Sequence, residues 1–146
     1  MAILFALAAA TLSASAAVPP YPSFKITDAQ VARVLSIEFR QCVDRSGGVT
    51  SSMRDCGTKE FARLDRALNI AYRNAMAQLN ASGKAKLRYA ERRWLKTRWS
   101  ECDLEAASGD GGTAALLNED GCAMSEMARR ITWLQRYVSN GVPAFP

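Results

Sequence analysis

The sequence predicts an all-α fold: a small antiparallel bundle of about four helices stapled by two disulfides. Three observations carry this. Apolar residues recur at steps of three and four over long stretches, the spacing that lines one face of a helix, and no strand-like alternation competes with it. Segments rich in Gly, Ser, Asn and Asp ("DRSGG", "NASGK", "SGDGGT") cut the pattern into four pieces. The chain has 146 residues, enough for one domain, and four cysteines, an even number that in a short exported chain implies two bridges.

The elements follow in order. "MAILFALAAATLSASAA" is uncharged, apolar or small throughout, and ends in small residues suited to cleavage after Ala16 or Ala17. It reads as a signal peptide over residues 1–17, because the run is shorter than the roughly 20 residues that span a bilayer. The mature chain is therefore expected to be exported, periplasmic or secreted, with no integral membrane segment. Residues 18–26, with "VPPYPSF", form an extended leader. The helical domain covers 27–140. Thr27 or Asp28 caps a first helix carrying Val31, Val34, Leu35, Ile37 and Phe39, which stops near Asp44. Thr50 opens a long second helix with Met53, Leu64, Leu68, Ala71, Ala75 and Leu79 on one face, and Gly57 as a weak spot where it can be interrupted. Gly83 is placed to end that helix. A third helix runs from about Lys84 to Glu105, a Gly-rich loop follows, and a fourth begins near Gly121 or Cys122 with Met124, Met127, Ile131, Leu134 and Val138. Residues 141–146 are a tail.

In an up-and-down bundle Cys42, Cys56, Cys102 and Cys122 meet at one pole. All three pairings are geometrically open there. The sequential one, Cys42–Cys56 and Cys102–Cys122, closes two local loops and is favoured. The chain lacks histidine and any Cys-x-x-Cys pair, so no metal site or cofactor is expected, and Ser-His-Asp and Cys-His catalysis are excluded. A hydrolase using two carboxylates is the main enzyme class left.

Folding helices two and three about Ser82 sets Asp65 level with Trp99. Asp65, Asn69 and Tyr72 then share one face, opposite Trp94 and Arg98, and Arg98 is expected to answer Asp65 in a structural polar network. Glu91 and Glu101 fall on other parts of helix three, which argues against a catalytic carboxylate pair. The formal net charge of +5 conceals a dipolar sequence. Residues 84–98 hold Lys84, Lys86, Arg88, Arg92, Arg93, Lys96 and Arg98 against Glu91 alone, whereas Glu101, Asp103, Glu105, Asp110, Glu119, Asp120 and Glu126 follow with no base among them. The basic helix, with Trp99, could meet an anionic polymer, although no nucleic-acid partner is expected in an envelope.

Taken together, Cys42, Met53, Cys56, Asp65, Leu68, Asn69, Tyr72, Leu87, Trp94, Arg98, Cys102, Gly111-Gly112, Cys122 and Arg129 or Arg130 resemble the LprI-type lysozyme inhibitor family, over about Gln41 to Arg136. Family members usually carry Gln-Arg-x-Trp where this chain has Glu91-Arg92-Arg93-Trp94, and Arg-Asp before the third cysteine where it has Arg98-Trp99-Ser100-Glu101. The resemblance implies an exported helical protein that binds and inhibits a lysozyme without catalysis. Lysozymes are often cationic, so Asp103, Glu105, Asp110, Glu119 and Asp120 are the expected contact residues. The alternative is an envelope protein that binds anionic polymer, or another envelope component, through its basic helix.

Overall fold

A computed structural model of the protein describes residues 24–100, 102–103 and 112–139, which hold five helices and no strand. They are α1 (Asp28–Val34), α2 (Ile37–Arg45), α3 (Thr50–Ala77), α4 (Ala81–Thr97) and α5 (Thr113–Ser139). The expected signal peptide, most of the leader, the tail and Glu101, Glu105 and Asp110 lie outside the described residues. No described helix is long and apolar enough to cross a membrane.

The apolar stripes of α3 and α5 make the core. Leu64, Leu68, Ala71, Ala75 and Leu79 meet Met124, Met127, Ile131, Leu134 and Tyr137, with Leu87 added from α4. Alanines at the seam (Ala71, Ala75 and Ala128) let the α3 and α5 backbones approach more closely than either approaches α4. The two run in the same direction, since Arg54 pairs with Asp120 near their starts, and Asn74 and Val138 border one pocket near their ends. The α4 helix returns antiparallel to both. It bonds α5 through Glu91 and Arg130, and just beyond its end Cys102 reaches Cys122. The α1 helix lies on α5, where Arg129 donates to Asp28 and to the Ile26 carbonyl.

Both disulfides close sequentially, Cys42–Cys56 and Cys102–Cys122, at the shared pole. Five features differ from the sequence reading. The single first helix is two, because Leu35 and Ser36 are extended between α1 and α2. Ser36 caps α2 by accepting from the Phe39 amide, while its own N–H and Oγ–H donate to the carboxylate of buried Glu60 at 2.9 and 2.7 Å. Arg63 donates to the same carboxylate and to the Val34 carbonyl, satisfying the end of α1. The break is therefore held from α3, 24 residues away in sequence. Gly57 does not interrupt α3, which is continuous over 28 residues. Gly83 lies in the first turn of α4 instead of ending α3. Asn80 accepts from its amide, and a side chain there would meet Leu79 at 2.8 Å. The last helix begins at Thr113, two turns before Gly121, and α4 stops at Thr97.

Candidate functional site

Two surfaces flank α5 near the disulfide pole. On the α4 side, all three tryptophans of the chain interleave with two arginines. The Arg130 guanidinium lies 4.4 Å from the Trp133 ring centre and 5.5 Å from that of Trp94, and Arg98 lies 5.3 Å from Trp94 and 4.2 Å from Trp99. Each such contact contributes roughly 0.5–2 kcal/mol as water is excluded. Glu91 locks the stack, accepting from Arg130 Nε and Nη2 at 2.9 and 2.6 Å with both side chains nearly buried. Glu91 supplies the counter-charge that Arg130 needs.

The expected Asp65–Arg98 pair does not form among the described residues. Asp65, Asn69, Tyr72 and Arg98 do line one groove of about 350 Å³ between α3 and α4. Asp65 and Asn69 are exposed, however, and bond each other within their own helix, Asn69 Nδ2 donating to the Asp65 carboxylate at 3.2 Å. Arg98 is the C-cap of α4 and turns onto Trp99, leaving its buried Nε without a hydrogen-bond partner. Trp94 lies between the two guanidiniums. Trp99, read from sequence as part of an outer basic face, is half-buried against the core.

Of the five expected contact acids, Asp103 and Glu119 are described and exposed, next to or near Cys102 and Cys122. Asp120 is half-buried and accepts from Arg54 Nε at 2.9 Å. Glu119 and Asp120 thus project from the second turn of α5, not from a loop. Among the described residues no three His, Cys, Asp or Glu side chains gather closely enough to hold a metal ion.

On the other side of α5 lies an open cleft of about 540 Å³, walled by α2, α3 and α5. Leu35, Phe39, Val43, Met53, Leu117 and Met124 make its surface apolar, and Arg40, Asp44 and Asp120 stand among its lining residues. Gly57 from α3 and Gly121 from α5 also line it, and a Cβ built on either would meet nothing within 4 Å. Neither glycine therefore serves close packing, and neither has a positive φ. Each sits beside a bridged cysteine, Gly57 after Cys56 and Gly121 before Cys122, so both disulfides brace the walls. Sequence reasoning met Gly57 only as a weak point in a helix. The available signal was the pair of helical glycines, each adjoining a cysteine.

Close by, Glu60 is held by donors on three sides. Burial alone would push its carboxyl pKa up, but the hydrogen bonds from Arg63 and Ser36 together outweigh burial and hold it below the ordinary value of 4.5. The bond to Glu60 correspondingly raises Arg63.

No curated protein and no solved structure matches the chain. A family model described as "Lysozyme inhibitor LprI" matches residues 42–134, from the first bridged cysteine almost to the end of α5, and so takes in both disulfides, the tryptophan–arginine stack and most of the cleft. By that match, over more than half its length, this all-α, doubly bridged chain belongs to the LprI lysozyme inhibitor family.

Proposed function

We propose that the mature protein is exported and acts without catalysis, binding a lysozyme and inhibiting it. The family match carries this reading. The two disulfides are consistent with an oxidising compartment outside the cytoplasm. The contact surface is the pole around Cys102–Cys122, where Asp103 and Glu119 are exposed, supplemented by Glu105, Asp110 and the Arg54-paired Asp120. A cationic enzyme would be steered toward carboxylates of this kind. In this reading the chain is processed after residue 17, and the extended leader precedes the helical domain.

The test is a titration of the mature protein against several lysozymes acting on peptidoglycan. Saturable inhibition is expected, weakened when Asp103 and Glu119 are neutralised together. Lysis by the protein alone would identify a hydrolase and defeat the reading. A second reading rests on the exposed basic side of α4, where Arg88, Arg92, Arg93 and Lys96 stand beside exposed Tyr89 and Leu95. Binding to an anionic polymer that fades with salt, with no lysozyme inhibited, would favour it.

A further inference from the structure

We propose that the α2–α3–α5 cleft is the seat for an apolar side chain of the cationic protein partner, next to a basic residue of that partner which meets Asp44. This rests on the inhibitor reading and assigns it a specific anchor.

The cleft has the size of a ligand site, and its shape is maintained at a cost to the helices around it. Glycine within a helix costs roughly 1 kcal/mol relative to alanine. That cost is ordinarily offset by close backbone approach or by a backbone conformation only glycine adopts. Gly57 and Gly121 show neither, and any larger residue at either position would project into the opening. The flexible thioethers of Met53 and Met124 let the wall adapt to the shape of an inserted group.

Charge selects the occupant. The lining carries two carboxylates, Asp44 and Asp120, against one guanidinium. That guanidinium, Arg40, keeps its charge while donating to the neutral Ala32 carbonyl, and Arg54, outside the lining, offsets Asp120. Asp44 is exposed and forms no ion pair among the described residues, and neither does exposed Glu119 one position from Asp120. With Glu119 counted beside Asp44 and Asp120, three carboxylates stand against the two guanidiniums of Arg40 and Arg54, which leaves one net negative charge at the mouth. An apolar group next to a base complements it, and an isolated hydrophobe or an anion does so less well. Asp120 lines the cleft and also belongs to the proposed acidic contact surface, so the anchor and the steering charges form one continuous face.

The experiment compares the wild-type mature protein with Gly57→Leu, Gly121→Leu and Asp44→Asn in the same inhibition titration, with melting temperatures taken alongside. Both leucines enter open space, so each variant is expected to melt at or above the wild-type temperature while inhibiting about tenfold more weakly or worse. Asp44→Asn should slow association severalfold at low salt and little at high salt. The two leucines come from opposite walls, so one folded variant suffices. Unchanged inhibition by a folded, cleft-filled variant overturns the anchor and leaves the inhibitor reading standing. If the wild type inhibits no lysozyme, the reading fails and the anchor falls with it. Loss of a bound naphthalene-sulfonate dye in the leucine variants, with inhibition intact, would make the cleft a small-molecule site and likewise overturn the proposal.

Discussion

The two sides of α5 answer the same packing problem in opposite ways. Toward α4, which stands further off than α3 does, the gap is filled by the largest side chains in the protein, Trp94, Trp99 and Trp133, with Arg98 and Arg130 between their rings. Toward α2, the gap is left open over two glycines. Of the residues that stand out in the sequence as a binding surface, Trp94, Arg98 and Trp99 are thus spent on internal contacts, while Arg88, Arg92, Arg93 and Lys96 stay exposed. The better candidate for contact is where the chain places almost nothing. Large side chains report where helices had to be bridged, and helical glycines with empty space above them report where something else can sit.

The comparison can be broken first on its filled side. Arg130→Ala leaves the nearly buried Glu91 carboxylate uncompensated and strips two rings of their cation. A loss of about 3 kcal/mol is expected in a denaturant melt, with a much smaller loss when Glu91→Gln is combined with Arg130→Met. If Arg130→Ala alone changed stability by only a few tenths, the stack would be surface decoration and the contrast with the cleft would disappear.

The next effect depends on pH and concerns the α2 wall of the cleft. Glu60 has a depressed folded pKa, so it stabilises the fold fully above the ordinary value of 4.5, and that contribution is lost as pH falls through the lower folded value. Unfolding experiments across pH 6 to 2 should show stability declining below about pH 4.5. Glu60→Gln should be less stable by about 2 kcal/mol at neutral pH and show a shallower acid slope. An unaltered slope would mean that the Ser36–Glu60–Arg63 cluster does not hold the α1–α2 break.

The smallest effect has the opposite sign. Gly57→Ala should stabilise by about 0.5–1 kcal/mol, because a methyl group finds open space and the helix gains propensity. Destabilisation would show that the glycine is needed for packing, and the cleft would lose its meaning as reserved space.

Much of this was legible in the residues. The stripe through Leu64, Leu68, Ala71 and Ala75 specifies α3, because a 3.6-residue repeat is a local property that needs no knowledge of the partner. The shared pole of the cysteines follows from alternating helix direction alone, and the Cys42–Cys56 and Cys102–Cys122 bridges fall there. The cap at Asn80 is not legible in "NASGK", because glycine at the start of a helix and glycine after its end look alike in sequence.

What the sequence by itself determined, then, was helix content, the core faces and the polar end at which the disulfides close. All of these depend on spacings within one element or on the order of elements. Only the tertiary structure decided which side chains answer one another. Pairing Arg98 with Asp65 assumed that α3 and α4 meet squarely about their turn. Because α4 stands off from both α3 and α5 and reaches α5 through long side chains, Arg98 faces Trp99, and Arg130 takes Glu91. The break at Ser36 likewise depends on a carboxylate two dozen residues away. The cleft is a volume between three helices, and no single segment encodes it. Rotation of a helix by one residue moves a side chain through about 100°, so partner choice depends on helix orientation, which periodicity leaves free.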